Sequence, residues 1–217
     1  MDSPARFCQT VDSVESLRTL YRDPSPLVSA KVKADLDPGS VAFIARSPFV
    51  VVGTHGDDGL DVSPRGGVPG FVKVLDGSHL AIPDLSGNNL LDTLTNVVRD
   101  GRIGLLFTVP GKDETLRVNG RAWIVTDDDV LDCFVDDVKR PKAAIGVRVE
   151  QVFIHCAKAF RRSRLWDPAT WPALADAPDG ADILVCQSLG GGWNAERIRA
   201  SLEQGYEADL SAEVPTS

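Results

Sequence analysis

Polar and basic side chains lie beside tight turns at the ends of predicted strands in several segments of the sequence. The first segment, DVSPRGG over residues 61–67, carries the Ser63 hydroxyl and the Arg65 guanidinium next to glycines that let a ligand approach the backbone. A hydroxyl and a guanidinium at a glycine-rich turn suit a phosphate group. A plain hairpin turn with a solvent-facing arginine is the alternative interpretation of the same residues.

A second segment joins a predicted strand end to a predicted helix start. It is PDLSGNN, residues 83–89, and its backbone N–H groups, with serine and asparagine side chains, would form an anion site at the positive end of the helix dipole. Arg65 could share one phosphate with this helix start. Ordinary N-capping by Ser86 or Asn88 is the alternative.

A third segment is basic within an acidic chain and follows the last predicted strand. His155 and Lys158 could donate hydrogen bonds to the carbonyl oxygens of a flavin ring and stabilise the negative charge that develops on its reduction, with Arg161 close by in sequence. A histidine held by hydrogen bonds at a strand end is the structural alternative for His155. Trp166 is expected to pack against the barrel rather than to stack on a ring.

One predicted strand has a polar, cationic face. Its alternating residues share that face because side chains along a strand point to opposite sides in turn; they are Thr115, Arg117, Asn119 and Arg121. An anionic ligand would explain two arginines on one face. Ion pairs with the acidic neighbours Asp113 and 127–129 would explain them equally well.

The length and the net charge of the chain limit the classes of protein to which it can belong. The chain has 217 residues, of which 43% are hydrophobic, enough for one sizeable core. The formal net charge of −8 and the pI near 4.9 make a nucleic-acid partner unexpected. No apolar stretch approaches the roughly 20 residues that a membrane helix needs, and the first ten residues lack a basic start and an apolar run. We therefore expect a cytoplasmic protein without a membrane span.

Common catalytic motifs are missing from the sequence. It contains no G-x-G-x-x-G after a strand, no P-loop, no H-E-x-x-H and no G-x-S-x-G, which removes support from Rossmann, P-loop, zincin and hydrolase assignments. The four cysteines form no C-x-x-C pair, and no histidine has a carboxylate at metal-ligand spacing, so we predict no metal site. No catalytic residue can be named from the sequence.

Hydrophobic periodicity predicts a mainly β protein with peripheral helices. Helices are expected over 11–21 and 27–36, over 86–101, over 127–134 and over 195–206. The strand patterns are VAFIA, FVVVGT, LDVSP, FVKVL and HLAIP, then RIGLLFTV, TLRVNGRAWIV and AAIGVRVEQVFIHC. Short connections and two Asp-Gly turns indicate antiparallel hairpins that close toward a barrel or sandwich. We expect a helical lead-in at 1–40, a barrel domain at 41–166 and a C-terminal loop and helix at 167–217.

The order of these segments resembles the pyridoxamine 5'-phosphate oxidase-like flavoproteins. The motifs SPRGG, PGFVKVLD, AIPDLSGNN, ETLRVNGRA and HCAKAFRRSRLW are together similar to a bacterial subgroup described as FMN-dependent enzymes of that class. The resemblance implies an antiparallel, six-stranded split β-barrel of the FMN-binding type. It also implies a homodimer with two FMN molecules in clefts at the subunit interface.

The resemblance implies roles for individual positions as well. Ser63 and Arg65 fall where a strand of the family supplies an arginine to the FMN phosphate, and Ile82 and Pro83 fall where backbone meets the flavin ring. Further positions implied at the cofactor are Asn88, Asn89, Thr115, Arg117, His155, Lys158 and Arg161. Asn88 and Asn89 replace an Arg-Lys pair of the family, which removes two cationic phosphate ligands. The tryptophan and arginine pattern that the oxidase itself carries near its end has no match here.

These observations predict an FMN-dependent oxidoreductase that acts on a small-molecule substrate. In that scheme the flavin performs hydride chemistry and the protein supplies placement and electrostatics. The alternatives are a flavin-binding module without turnover, or a split barrel that binds the deazaflavin F420 or haem, for which His155 is a candidate axial ligand.

Overall fold

The computed structural model describes residues 6–57, 59–188, 192 and 194–215. By its internal contacts the chain divides into a unit that ends at Val32 and a unit that begins at Lys33. The first unit contains two short helices, α1 (Val14–Thr19) and α2 (Pro26–Ala30). Both are shorter than the helices predicted over 11–21 and 27–36.

The second unit is built on one antiparallel sheet of seven strands in the order β2-β1-β5-β6-β7-β4-β3. The strands are β1 (Phe49–Gly56), β2 (Gly59–Gly66), β3 (Lys73–Val74), β4 (His79–Pro83), β5 (Arg102–Thr108), β6 (Thr115–Val125) and β7 (Ala144–His155). The split-barrel class expected from the sequence is confirmed. The strand number differs from the six expected.

One predicted strand is a helix instead. The VAFIA pattern belongs to α3 (Pro38–Ile44). Asp37 caps this helix, because its carboxylate accepts hydrogen bonds from the Gly39 and Ser40 N–H groups at 2.8 and 3.1 Å. Hydrogen bonds from Ser40 are the main reason that the pKa of Asp37 lies below its usual value. The Asp-Pro start therefore outweighs the β-branched and aromatic residues that follow it.

The core lies on the inner face of the sheet, where alternate residues of the strands are buried. In β1 the buried side chains are Val50, Val52 and Thr54, while the residues between them are partly exposed. The largest fully buried side chains of the described residues include Phe107, Ile44, Leu80, Ile82, Leu105 and Leu116. Helix α4 (Asp92–Arg99) covers this face with Thr93 and Val97.

The long β6–β7 hairpin carries a register shift between Asn119 and Gly120. A Cβ at position 120 would lie 2.0 Å from the Arg148 carbonyl oxygen, so only glycine fits at this irregularity. Helix α5 (Asp128–Asp132) lies between the two strands in sequence, within the range predicted for it. Its Leu131 belongs to a second, smaller buried cluster with Phe134.

The segment that follows the sheet is mostly helical. It contains α6 (Lys158–Ser163), two 3₁₀ turns, α7 (Gly180–Gln187) and α8 (Ala195–Ala212). The terminal helix was predicted, but it runs six residues past the predicted end at Tyr206. Among the described residues no helix is both long and apolar enough to cross a bilayer.

Candidate functional site

Two adjoining cavities form a cleft along β2 and the loop of residues 84–91. Their volumes are about 450 Å³ and about 500 Å³, within the usual range for small-molecule sites. The residues that line both are Arg65, Leu85, Ser86, Gly87, Asn88, Asp209 and Glu213. We call this pair of cavities the cleft.

Strand β2 supplies polar side chains to the cleft because it is an edge strand. Asp61, Ser63 and Arg65 alternate along β2 and lie across from the inward residues of β1, and all three line the first cavity. Within the described part of the chain, no further strand pairs with the free edge of β2. Side chains that would be core residues on a central strand therefore face the cleft.

Arg65 is incompletely paired. Its Nε atom is buried without a hydrogen-bond partner, one of two such side-chain atoms among the described residues. The nearest acid is Asp84, with 3.9 Å between Nη1 and Oδ1. Burial raises the pKa of Asp84 above its usual value, while the Arg65 charge opposes that rise. A buried guanidinium N–H without a partner is costly, and an anionic acceptor in the cleft would satisfy it.

The loop of residues 84–91 differs from the predicted helix start. Asn89 and Leu91 have left-handed backbone angles, φ 58° and 60°, and the helix begins only at Asp92. Leu91 precedes the helix without a side-chain capping bond. The Asn88 side chain accepts a hydrogen bond from the Leu90 N–H at 3.1 Å, within the loop. Neither Ser86 nor Asn88 therefore caps α4, which was the alternative interpretation of this segment. Left-handed leucine is unfavourable, and such strain concentrates at ligand-holding segments.

Helix α8 and the residue that follows it, Glu213, also line the cleft. The Glu213 carboxylate accepts a hydrogen bond from the Ser86 N–H at 2.8 Å, and its carbonyl accepts from the Lys139 N–H at 2.8 Å. Apolar side chains of α8, Leu202, Tyr206 and Leu210, line the second cavity. Sequence reasoning missed Glu213, because no local pattern links residues 127 positions apart.

A short basic segment completes the first cavity. Lys139, Arg140 and Lys142 line it. Arg140 pairs with Asp128 and Asp132, whereas Lys139 and Lys142 make no ion pair within the part of the chain that the structure describes. The sequence analysis did not select these residues, although three basic residues within four positions stand out in an acidic chain.

Three of the predicted site residues lie on the opposite, outer face of the sheet. Thr115 pairs with His155 and Arg117 with Phe153 across β6 and β7. The Arg117 guanidinium lies 4.3 Å from the Phe153 ring centroid, and its Nε is the second buried atom without a partner. The rings of Phe153 and His155 are 5.0 Å apart.

The register shows that these residues cannot reach the cleft within one chain. Arg117 pairs with Leu106, Leu106 with Val51 and Val51 with Pro64, so all four share the outer face. Arg65, the neighbour of Pro64, therefore points to the inner side.

The remaining predicted site residues lie in the core, in the cleft or on the surface. Ile82 is fully buried in the core, and Pro83 is buried and lines the second cavity. Asn88 and Asn89 line the first cavity. Lys158 is exposed on α6.

Arg161 pairs with Asp113 at 3.0 Å, so this acid does not serve the arginines of β6. Arg121 instead donates to the Asp100 carbonyl at 3.2 Å. Trp166 stacks on Phe160 of α6 and donates to the Lys112 carbonyl in the turn between β5 and β6. The described residues contain no group of three or more metal-ligating side chains.

A protein-family model matches more than half of the chain. The model described as pyridoxamine 5'-phosphate oxidase matches residues 36–156, which include the whole sheet and the loop of residues 84–91. No curated protein matches the chain.

Several solved structures resemble a little over half of the chain. HupZ of Group A Streptococcus is 18% identical, with a TM-score of 0.47, and the match covers 55% of this chain and 93% of that protein. A protein from Lactobacillus delbrueckii titled as a candidate pyridoxamine 5'-phosphate oxidase is 25% identical, with a TM-score of 0.44, covering 56% and 95%. An FAD-binding protein from Mesorhizobium loti is 15% identical, with a TM-score of 0.38, covering 57% and 96%.

Proposed function

Because the chain belongs to the pyridoxamine 5'-phosphate oxidase family, we propose that it is an FMN-dependent oxidoreductase whose cofactor phosphate binds in the cleft. The observation that carries this proposal is Arg65. Its guanidinium lines a cavity of suitable size and has a buried N–H without an acceptor. A phosphate oxygen supplies that acceptor.

The donor set of the cleft fits a phosphate monoester. Arg65 provides charge and Ser63 a hydroxyl on the same side of β2, and Lys139 and Lys142 add positive charge from the opposite wall. These lysines would supply the positive charge that the Arg-Lys pair of the family provides, a pair that Asn88 and Asn89 replace in this chain. The apolar second cavity is suited to a ring system.

When bound, FMN would supply the hydride chemistry. The chain's own residues would bind and orient the cofactor and neutralise the charge of its phosphate. Arg65 holds the phosphate in place, and the raised pKa of Asp84 lets this carboxyl retain a proton at a higher pH than an ordinary aspartate does. Leu202, Tyr206 and Leu210 would contact the ring system in the second cavity.

We further propose that the protein is a homodimer in which a partner subunit covers the outer face. Support comes from Val62 and Leu60, which expose 67% and 85% of their surface, and from Phe49 at 39%. Phe49 lies in the row of Thr115 and Val62 in the row of Asn119, and Leu60 is two residues from Val62 along β2, so all three share the outer face with Arg117. A partner on this face would bury the apolar residues and place Arg117 and His155 at an interface.

A cytoplasmic location is supported by the cysteines. All four are described, exposed and unpaired, which is the usual state in a reducing compartment.

The decisive experiment is a visible absorption spectrum of the purified full chain after addition of excess FMN and gel filtration. Retention of the two flavin bands with the protein peak is the expected result. Bleaching of those bands by NADH or NADPH, followed by recovery in air, would then establish turnover. Retained FMN that neither donor reduces would favour a flavin-binding module without turnover.

The same protein incubated with F420 or haem is the control for cofactor identity. A protein that leaves FMN in the free fraction but retains F420 or haem contradicts the FMN proposal. Equal retention of riboflavin and FMN would contradict the assignment of the phosphate to the cleft.

A further inference from the structure

We propose that Glu213 is an internal anion that occupies the phosphate subsite of the cleft, so that a ligand phosphate must displace it. The Glu213 carboxylate accepts from the Ser86 N–H at 2.8 Å and lines both cavities beside Arg65. The identity of the displacing ligand as FMN rests on the proposed function; the competition itself does not.

The subsite attracts an anion whether or not a ligand is present. A backbone N–H donates well to one acceptor at a time, and carboxylate and phosphate oxygens are both strong charged acceptors. Arg65, Lys139 and Lys142 line the same cavity and supply positive charge to it, alongside the carboxylates of Asp61, Asp84, Asp92 and Asp209. Glu213 is half-buried, so its carboxylate is held in place rather than free in solvent.

Glu213 also links the cleft to the end of α8. Its carbonyl accepts from the Lys139 N–H at 2.8 Å, and its own N–H donates to the Asp209 carbonyl at 3.2 Å. One residue thus fastens the last turn of the helix to two walls of the cleft. Displacement of the carboxylate removes one of these attachments and loosens the other. The last turn of α8 therefore acts as a latch on the phosphate subsite, and an arriving phosphate opens it.

The first test compares FMN with riboflavin, which lacks the phosphate, by titration of the full chain. Glu213→Gln keeps the shape of the side chain and removes its charge, so FMN should bind about tenfold more tightly while riboflavin affinity stays unchanged. Glu203→Gln makes the same charge change elsewhere on α8, at a residue that lines neither cavity, and should match the wild type. Equal affinity of wild type and Glu213→Gln for FMN would overturn the competition, as would equal tightening for both ligands.

The second test does not depend on the flavin. Amide hydrogen exchange of the wild-type chain is measured with and without inorganic phosphate. Phosphate should speed exchange at Lys139 severalfold, because its N–H loses the Glu213 carbonyl, and should leave Ser86 protected by the new acceptor. The Glu213→Ala chain, which loses the side-chain attachment to Ser86, should show faster Lys139 exchange without phosphate. Unchanged exchange at Lys139 in both comparisons would overturn the latch.

The two tests separate the proposals. Phosphate-dependent exchange in a chain that fails to retain FMN supports the latch and rejects the FMN function. Retained FMN with no effect of Glu213→Gln supports the function and rejects the latch.

Discussion

The cleft and the outer face of the sheet each contain one arginine whose Nε is buried without a partner, Arg65 and Arg117. In the cleft, the loop of residues 84–91, a basic segment and the chain's own C-terminal end surround Arg65. On the outer face, Arg117 rests on Phe153 in rows of residues that continue toward exposed apolar side chains of β1 and β2.

The difference shows what each arginine requires. Arg65 lies in a concave space that needs only an anion of the right size. Arg117 lies on a broad, open surface, and a broad apolar surface with a cationic centre is typical of a protein interface. The two predicted halves of the cofactor site thus belong to opposite faces of one sheet, and a second subunit is the simplest means to bring them to one ligand.

The largest effect is expected from Arg65→Ala. Loss of the charged donor should weaken FMN by about 100-fold and riboflavin little, because the guanidinium acts on the phosphate. Arg46→Ala, which removes an exposed arginine that donates to the Ala42 carbonyl and lines neither cavity of the cleft, is the matched control. Calorimetric titration of the variants measures both affinities. If Arg117→Ala reduced the preference for FMN over riboflavin as much as Arg65→Ala does, the distinction between the two regions would be wrong.

A smaller effect should follow Val62→Asp on the outer face. A carboxylate within the proposed interface loses its hydration, so the dimer should dissociate about thirtyfold more readily. Val98→Asp introduces the same charge at an exposed position of α4, which covers the other side of the sheet, and should leave the dimer intact. Sedimentation equilibrium gives the dissociation constants. A monomeric wild-type protein would contradict the interface.

Asp84→Asn should strengthen FMN binding by about threefold, since it removes a carboxylate that faces Arg65. Burial raises the pKa of Asp84, so as the pH falls through that raised pKa the wild-type carboxyl becomes neutral. Wild-type affinity should therefore rise toward that of Asp84→Asn as the pH is lowered, and the difference between the two should vanish. Titrations of both proteins across this pH range provide the measurement, and a constant difference would contradict the role of Asp84.

The smallest effect concerns the attachment of α8. Asp179 caps α7 and bonds Arg199 of α8 at 2.6 Å, and this arginine is the main reason that its pKa is lowered to about 2. A depressed pKa stabilises the folded state above pH 3.8, and the contribution is lost as the pH falls through about 2. Asp179→Asn preserves an N-cap side chain but loses the charge, so α8 amides should exchange about twofold faster at neutral pH. Unchanged α8 exchange at neutral pH would show that the ion pair does not hold the helix.

The strands were predictable because each has a local signature. Alternation in β1 and β6 and the short turns between strands mark antiparallel hairpins, and all seven strands fall on predicted patterns. The strand predicted at VAFIA was wrong because the Asp37 cap acts from outside the apolar pattern. The start of α4 was predicted too early because left-handed angles at Asn89 and Leu91 leave no clear signal in those residue types.

For the site, local sequence determined which residues carry useful chemistry. Ser63 and Arg65 were predicted as a pair because they alternate on one strand beside glycines, and the structure places both in the cleft. Thr115 and Arg117 were predicted from alternation along one strand and from the family resemblance, and His155 from the basic segment that follows the last strand. Their separation onto the other face follows from the pairing of five strands, which no single segment encodes.

The sequence by itself determined the mainly β class and the polar residues along β2 and β6, because strand alternation and turn chemistry act between near neighbours. The family followed from the resemblance of several motifs taken together. Only the tertiary structure decided that Glu213 meets Ser86 and that Lys139 and Lys142 line the same cavity as Arg65. These contacts join distant parts of the chain, and their energy comes from burial and charge in the folded molecule rather than from local preference.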